Sequence, residues 1–184
     1  NVREEVGMFD VSHMGEFVCE GPDAVKFANY VITNDLGTID FGDIIYSAMC
    51  NENGGFVDDL LVYKISPERI MFVVNASNMD KDFQHMLKLS QGFEVKLTNV
   101  SDDTGLIAVQ GPKAQEKVQP HTNLNLEEVG YYSFKEGEIF GVKGIISRTG
   151  YTGEDGFEFY IPASQTAVAW RKLLEIGIKP AGLG

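Results

Sequence analysis

The sequence predicts an α+β fold built around antiparallel sheets. Short segments rich in β-branched and aromatic residues are separated by turn residues along the chain, a pattern typical of strands. Other segments place apolar residues at helical spacing. Between residue 17 and about residue 100 the predicted order is β-α-β-β-β-α-β or shorter. This order favours a ferredoxin-like sandwich, in which two helices cover one face of an antiparallel sheet.

In the first half, a strand at Phe17-Val18-Cys19 leads into a helix with Pro22 near its start, where proline is favoured. The turn Asn53-Gly54-Gly55 suits a hairpin, and a strand follows it from Phe56 onward. Other strands are predicted over residues 43–50, 69–77 and 93–100. A second helix is predicted over residues 78–90, with an apolar stripe of Met79, Phe83, Met86 and Leu87.

In the second half, residues 105–118 are typical of a strand running into a short helix. Residues 137–161 predict a strand pair, a glycine-rich loop and a further strand. An amphipathic helix is predicted over residues 164–177, with Ala167, Trp170 and Leu174 on its apolar stripe. No internal repeat is apparent between the two halves.

Composition excludes several functional classes. The 184 residues include 15 basic and 27 acidic side chains, giving a net charge of −12. This charge argues against a nucleic-acid partner, which requires a basic patch, and against docking on anionic membranes. No apolar run approaches the ~20 residues of a membrane span, and no signal or transit peptide is visible. The balance is typical of a soluble enzyme or of a surface that meets a basic partner.

Metal and disulfide chemistry find little support in the sequence. The three histidines, His13, His85 and His121, are scattered, so no metal site is expected. A lone His13 in "FDVSHMGE" is typical of a structural or surface residue rather than a catalytic one. Cys19 and Cys50 lie in apolar segments without metal-binding spacing, which favours buried free thiols, although the sequence leaves a disulfide open.

Two adjacent acids interrupt the strand "NENGGFVDDLLVYK", residues 51–64. Because neighbouring strand residues point to opposite faces, Asp58 and Asp59 face opposite ways. Asp59 shares its face with apolar residues, whereas Asp58 shares its face with Lys64. Asp59 is therefore predicted to be the more desolvated acid and a functional candidate, with Asp58 outward or structural. Alternatively, both acids belong to the turn and are solvated.

The loop "RTGYTGEDGFEFY", residues 148–160, is a second candidate site. Glycines recur at every third position, and glycine permits close approach of backbone to a ligand. The pattern is neither a dinucleotide-binding motif nor a phosphate-binding P-loop. The aromatic ring of Tyr151 and the carboxylates Glu154, Asp155 and Glu158 favour a site. A purely structural glycine-rich turn is the alternative.

Six segments in order identify a family resemblance. They are "GMFDVSHMGEF" (7–17), "MCNENGGFVDDLLVYK" (49–64), "VVNASNMDKDF" (73–83), "VQGPKAQ" (109–115), "SRTGYTGEDGFE" (147–158) and "PAGLG" (180–184). Together they resemble the aminomethyltransferase, or T-protein, of the glycine cleavage system, over essentially the whole chain. "FDVSHMGE" and "RTGYTGEDG" are closer to the T-protein branch than to folate-using demethylases, dehydrogenase folate domains or iron–sulfur assembly factors.

The resemblance implies an activity with tetrahydrofolate as co-substrate and no metal. The aminomethyl group on the lipoyl arm of H-protein would be converted to 5,10-methylenetetrahydrofolate with release of ammonia. H-protein and tetrahydrofolate are the implied partners, with no nucleic acid or membrane. A non-catalytic folate-binding protein of the same family, or one acting on a different substrate, such as a demethylase or assembly factor, is the alternative.

The resemblance also implies roles for individual residues. The second acid of the "DD" pair is the essential carboxylate of the family, and this position is Asp59 here. The family's pterin-binding glutamate matches Glu158. A carboxylate suits that role, because it accepts two parallel N–H bonds from an aminopyrimidinone edge. Further pocket positions match Tyr151, Tyr63, Asn75, Tyr46, Tyr132 and Met14.

The domain organisation of the family implies a T-protein-type folate-binding fold with a discontinuous first subdomain. Residues 1–17 and 103–184 would form that folate-binding subdomain, a second antiparallel β/α unit, and residues 18–102 would form an inserted ferredoxin-like subdomain. We expect the chain to be truncated at both ends, without the family's C-terminal β-barrel domain and with the arginine for the folate tail beyond Gly184. Such a protein would be cytoplasmic in bacteria or archaea and in the mitochondrial matrix of a eukaryote.

Overall fold

The computed structural model describes residues 1–182, which divide into two compact units. Unit 1 consists of Asn1–His13 and the chain from Asp102 onward, and unit 2 is Met14–Ser101. In chain order the strands are β1 Gly7–Asp10, β2 Gly15–Glu20, β3 Ile44–Cys50, β4 Phe56–Ser66, β5 Arg69–Val74, β6 Lys96–Asn99, β7 Thr104–Gln110, β8 Phe134–Ile139, β9 Val142–Ser147, β10 Gly156–Pro162 and β11 Lys179–Pro180. The helices are α1 Ala24–Val31, α2 Met79–Leu89, α3 Ala114–Val118 and α4 Ala163–Glu175.

Unit 2 is a five-stranded antiparallel sheet in the order β3-β4-β5-β2-β6. Helices α1 and α2 both pack on one face of this sheet and form its core. Phe27 of α1 meets Phe72 of β5 edge to face at 6.3 Å, and Phe83 of α2 meets Phe17 of β2 at 5.0 Å. The element order β-α-β-β-β-α-β and the ferredoxin-like arrangement are as the sequence predicts. We call the opposite face of this sheet helix-free.

Unit 1 is a six-stranded sheet in the order β11-β1-β7-β10-β9-β8. Its core lies under α3 and α4 and includes Val109, Phe157 and Phe159, all fully or almost fully buried. The prediction of a purely antiparallel second sheet is wrong at one edge, because β1 and β11 pair in parallel, with Gly7 opposite Lys179. Strand β1, which the sequence did not predict, sits between β11 and β7.

The two units share a four-stranded arrangement, although the sequence shows no obvious repeat. Strand β2 and helix α1 correspond to β7 and α3, and the order β3-β4-β5-β2 matches β8-β9-β10-β7. The next position differs, because β6 after α2 fills it in unit 2 and β1, the first strand of the chain, fills it in unit 1. Each unit then places a short 3-10 turn after its first helix. In unit 2, Asn29 Oδ1 accepts from the Leu36 N–H at 2.7 Å, and in unit 1, Gln119 Oε1 accepts from the Leu126 N–H at 2.8 Å. These positions differ by ninety residues.

Glycine at the strand-to-helix turn explains why this part of the repeat is preserved. Gly21 has φ 141° and Gly111 has φ 137°, a left-handed conformation that other residues rarely adopt. A Cβ at Gly21 would lie 2.2 Å from the Glu94 carbonyl oxygen, and one at Gly111 would lie 2.5 Å from that of Glu5. The turn therefore requires glycine in both units, while the surrounding side chains have diverged.

Three local expectations meet different outcomes. Both Cys19 and Cys50 are free thiols, and burial raises the pKa of Cys19 to about 12. The predicted apolar stripe of α4 is right at Trp170, which packs against the core, and wrong at Leu174, which is 42% exposed, whereas Ala169 and Leu173 are buried. Within the described residues, no helix is long and apolar enough to cross a membrane.

Candidate functional site

The helix-free face of unit 2 presents Asp59 in a network of polar side chains. We call Tyr46, Asp58, Asp59, Asn75, Asn78 and Asp82 the Asp59 cluster. The half-buried Asp59 carboxylate accepts from the Tyr46 hydroxyl at Oδ2 and from Asn75 Nδ2 at Oδ1, the latter at 3.1 Å. Asn75 Nδ2 also lies 3.0 Å from the Asp59 carbonyl oxygen. Neutral donors therefore orient this carboxylate on both oxygens.

The expectation that Asp59 is more desolvated than Asp58 is wrong. Asp58 is only 4% exposed and lies on the helix-covered face with Leu60 and Val62, while Asp59 is half-buried on the other face. The expectation relied on Lys64 marking a solvated face. Instead the Lys64 ammonium donates to the carbonyl oxygens of the 3-10 segment after α1, at 2.7 Å and 2.6 Å, so this charge is satisfied while its side chain is buried.

Asp58 is a well-bonded buried carboxylate. Its Oδ1 accepts from Asn75 Nδ2 at 3.0 Å and from Asn78 Nδ2 at 2.8 Å, and its Oδ2 accepts from the Asn75 N–H at 3.3 Å. Burial raises the pKa of Asp58, but hydrogen bonds from Asp82 and these amides outweigh burial and hold it below its ordinary value. Asp58 is thus ionised, and Asn75 bridges it to Asp59.

Asp82 is a member of the cluster that sequence reasoning missed. It lies on α2, is fully buried, and faces the Asp58 carboxyl. Burial, followed by the hydrogen bond and charge of Asp58, raises the pKa of Asp82 to about 7. The sequence does contain a signal for Asp82, because this residue lies three positions after Met79 and four before Met86, on the apolar stripe of α2.

Three predicted pocket residues of unit 2 occupy different settings. Tyr63 shares the strand face of Asp59 but is fully buried. Tyr46, in contrast, is 51% exposed, and its hydroxyl contacts Asp59. Met14 immediately precedes β2 and is half-buried. Tyr46 and Asn75 are therefore the predicted residues that the fold brings to Asp59.

In unit 1, Glu158 lies on the helix-free side of β10. Its neighbours Phe157 and Phe159 point into the core. The Thr149 hydroxyl donates to Glu158 Oε2, and Thr149 Oγ1 is 2.9 Å from Ser147 Oγ. Burial raises the pKa of Glu158, and the Thr149 hydrogen bond offsets part of this rise. We call Ser147, Thr149, Glu158 and Tyr132 the Glu158 cluster.

Tyr132 and Tyr151 differ in their relation to Glu158. Tyr132 has φ 56°, and its N–H donates to the Arg148 carbonyl at 3.0 Å. Burial raises the pKa of Tyr132, with smaller contributions from Tyr131 and the Glu158 charge. Tyr151 is fully exposed at the tip of its loop. The fold therefore brings Tyr132 into the field of Glu158 and leaves Tyr151 open to solvent.

The glycine-rich loop has a structural explanation for part of its pattern. A Cβ at Gly150 would lie 1.9 Å from Gln110 Oε1, and one at Gly156 would lie 2.5 Å from the Val109 carbonyl oxygen. Gln110 Nε2 also donates to the Thr149 carbonyl at 2.9 Å. Two of the three glycines therefore serve packing, which favours the structural alternative for this pattern.

The charged residues of the same loop are largely occupied. Arg148 binds Asp155 through Nε and Nη2 at 2.8 Å and 2.7 Å, and Glu154 pairs with Arg3 at 2.9 Å. The loop lines a cavity of about 300 Å³ together with Tyr131. Glu154 and Asp155 are therefore both paired with arginines.

A family model described as the GCVT N-terminal domain matches residues 1–184 of this sequence. The chain belongs to the GCVT N-terminal domain family. The resemblance recognised from the six sequence segments is thereby confirmed, although "PAGLG" lies partly outside the described residues.

Curated relatives of this family member carry one name. An aminomethyltransferase from Thermosipho melanesiensis is 58% identical over 184 residues, which cover 100% of this chain and 51% of that protein. An aminomethyltransferase from Thermotoga maritima is 52% identical, with the same coverage. The chain thus spans about half the length of the curated relatives it matches.

Solved structures agree with the fold. The glycine cleavage system aminomethyltransferase T from Bartonella henselae matches with a TM-score of 0.88 at 34% identity, over 99% of this chain and 49% of that chain. A heterotetrameric sarcosine oxidase from Corynebacterium sp. U-96 matches with a TM-score of 0.72 at 11% identity, over 97% of this chain and 88% of that chain, and shares the fold alone. The predicted T-protein-type α+β fold is confirmed.

The two clusters of this GCVT-family chain offer different chemistry. A half-buried carboxylate held by neutral donors, as at Asp59, can accept a proton from a bound group. A carboxylate with one oxygen already bonded to a hydroxyl, as at Glu158, retains lone pairs that accept N–H donors. Within residues 1–182, no group of three or more His, Cys, Asp or Glu side chains is placed to hold a metal ion.

Proposed function

We propose that this chain is the folate-binding part of a tetrahydrofolate-dependent aminomethyltransferase of the glycine cleavage system. The reaction takes the aminomethyl group from the lipoyl arm of H-protein, forms 5,10-methylenetetrahydrofolate, and releases ammonia and the dihydrolipoyl arm. Family membership and the shared name of the curated relatives support this activity. The proposed location is the cytoplasm of a bacterium, since the relatives are bacterial.

The observation that supports the proposal most strongly is the setting of Asp59. Tyr46 and Asn75 hold both of its oxygens, so the half-buried carboxylate has a fixed direction. Transfer of the one-carbon unit requires that the attacking nitrogen of tetrahydrofolate lose a proton. A preoriented carboxylate supplies this general base, or orients the nitrogen for attack. We assign this catalytic role to Asp59.

Glu158 is proposed to recognise the pterin ring. The aminopyrimidinone edge presents parallel N–H donors, which match a carboxylate. Thr149 holds Oε2 and thereby fixes the plane of the Glu158 carboxyl group. Because burial raises the pKa of Glu158, a bound N–H pair would favour its ionised form. Tyr132 and Tyr151 of the same unit are proposed to line the pterin site.

The decisive experiment compares Asp59→Asn with wild type in the full-length protein. Methylenetetrahydrofolate formation is measured with lipoylated H-protein loaded with the aminomethyl group. We expect loss of kcat by about 10²-fold or more, the usual contribution of a general base, with unchanged thermal unfolding. Asp40→Asn, an exposed acid in the same unit, is the matched control and should retain wild-type kcat. Full activity of Asp59→Asn would refute the catalytic assignment.

Tetrahydrofolate binding tests the role of Glu158 and separates the alternatives. Glu158→Gln should weaken equilibrium binding of tetrahydrofolate by about tenfold or more, since a charge-assisted pair becomes a single neutral acceptor. If wild type binds tetrahydrofolate yet transfers nothing from H-protein, a panel of other one-carbon donors decides between a different substrate and a non-catalytic role. Absence of tetrahydrofolate binding to the full-length wild type would overturn the proposed function.

A further inference from the structure

Hydrogen bonds through Asn75 join Asp59 to Asp58, which faces Asp82 in the interior of unit 2. Asn75 Nδ2 lies 3.1 Å from Asp59 Oδ1 and 3.0 Å from Asp58 Oδ1. Asp58 in turn meets Asp82 of α2, which is fully buried. The orientation of the Asn75 amide, and with it one bond to Asp59, therefore depends on where the Asp58 carboxylate sits.

Asp82 lacks the donors that an ionised carboxylate needs. Neither of its oxygens accepts a hydrogen bond from an N–H or O–H group of the described residues in good geometry. The Lys81 ammonium is 3.2 Å from Oδ1, but it also donates to the Val57 carbonyl oxygen. Two carboxylates in contact cannot both ionise without strong repulsion, so one proton is shared between Asp58 and Asp82.

We propose that Asp82 is a positioning residue. It keeps this proton and uses it to donate a hydrogen bond to the ionised Asp58, and through Asn75 it thereby fixes the direction of the Asp59 carboxylate. The inference rests on the proposed catalytic role of Asp59. Asp58 stays the acceptor because three amide hydrogen bonds from Asn75 and Asn78 favour its ionised form. Asp82 becomes the donor because it has no such bonds.

The charged groups that face Asp82 are few. Asp58 approaches from β4 and Lys81 from α2 itself, and these are the two that act on its proton equilibrium. Burial and Asp58 favour the protonated acid, and Lys81 opposes them. When the proton leaves, Asp58 and Asp82 repel, and Asp58 can no longer hold Asn75 in place. The direction of Asp59 should then degrade as the pH rises through the neutral range.

The test uses the full-length protein without ligand and then in the transfer reaction. In ¹³C-aspartate- and ¹⁵N-asparagine-labelled protein, one buried carboxyl should titrate near neutral pH, and the Asn75 side-chain amide should shift with the same midpoint. Asp82→Asn should abolish both changes, since its amide N–H donates to Asp58 at every pH. Asp80→Asn, an exposed acid in the same helical turn, should leave both unchanged.

In the transfer reaction, Asp82→Asn should keep kcat close to wild type and lose the fall in rate above neutral pH. Asp82→Ala removes the donor and should lower kcat by about tenfold, the equivalent of one lost hydrogen bond to a charged group, with unchanged KM for tetrahydrofolate. Rescue by Asn but not by Ala separates positioning from a general loss of stability.

Two results would overturn the inference. One is a wild-type Asn75 amide that does not shift in the pH range in which the buried carboxyl titrates. The other is an Asp82→Ala variant with the kcat and pH profile of wild type. If wild type transfers no aminomethyl group at all, the proposed function fails while the NMR titration still decides the role of Asp82.

Discussion

Glu16 offers the sharpest test of how burial controls stability in this chain. It lies in the middle of β2, is 0% exposed, and neither carboxyl oxygen has a hydrogen-bond donor among the described residues. Burial without a partner raises the pKa of Glu16 from 4.5 to about 8. In the unfolded chain the same carboxyl returns to its ordinary value. Folding therefore takes up a proton over the pH range between these two values.

The sign and size of the effect follow from linkage. A carboxyl group whose pKa is higher in the folded than in the unfolded state contributes stability that is fully present below its unfolded-state pKa. This stability is lost as the pH rises through its folded-state pKa. Each pKa unit corresponds to about 1.36 kcal/mol, so the rise from 4.5 to about 8 amounts to about 5 kcal/mol. Glu16→Gln cannot ionise. Relative to wild type, its free energy of unfolding should increase by up to about 5 kcal/mol between about pH 4.5 and about pH 8.5.

Urea unfolding at several pH values measures this difference directly. At low pH the variant should match wild type or be slightly less stable, because a neutral amide replaces a neutral acid in an unpartnered site. Other titrating groups occur in both proteins and cancel. Glu20→Gln, on the same strand but exposed, is the matched control and should change the free energy of unfolding far less than Glu16→Gln at alkaline pH. A Glu16→Gln difference that stays constant from acid to alkaline pH would refute the reasoning.

Two further substitutions test the frame of unit 1. Arg148→Lys should lower the free energy of unfolding in urea by about 2–3 kcal/mol, because a lysine cannot reproduce the two-pronged contact with the Asp155 carboxylate and the bonds to two carbonyl oxygens. The control, Arg171→Lys at an exposed position, should change it by less than about 0.5 kcal/mol. Equal effects of the two substitutions would contradict this reasoning. Gly111→Ala should lower the midpoint of thermal unfolding far more than Gly54→Ala. Both glycines have positive φ. At Gly111 the new Cβ would lie 2.5 Å from a backbone carbonyl oxygen, whereas at Gly54 nothing lies within 4 Å of it. Similar midpoints for the two variants would refute the steric account.

Local pattern predicted most elements and singled out Asp59 as a candidate, but it did not predict the environment of that residue. The strand from Phe56 and the turn before it stand where hairpin chemistry placed them. Alternation alone then separated Asp58 from Asp59 correctly and oriented the pair wrongly. The error came from treating Lys64 as a marker of solvent, when the carbonyl oxygens of Leu36 and Ile39, 28 and 25 residues earlier in the chain, satisfy its charge. A one-residue pattern cannot contain that information, because the acceptors come from another element.

Long-range contacts explain the other omissions. Strand β1 is four residues long and owes its place to β7 and β11, which come from distant parts of the chain. Asp82 could have been found, since helical spacing places it on the apolar stripe of α2. The role proposed for Asp82 depends on Asp58, which lies on a strand more than twenty residues earlier in the chain. It also depends on the lack of N–H or O–H donors to Asp82 among the described residues. Sequence periodicity locates such a residue, and only the fold shows its partner.

The repeat within the chain clarifies why the two proposed site carboxylates cannot be found as a repeated motif. Pairing registers match Asp59, opposite Ala48, to Lys143, opposite Glu138, in the other unit. In the same way Glu158, opposite Ala108, corresponds to Met71, opposite Val18. Both units therefore keep the turn glycine and the capping geometry that the fold requires. The sheet positions equivalent to Asp59 and Glu158 hold Lys143 and Met71, so a search for a repeated motif would find neither carboxylate.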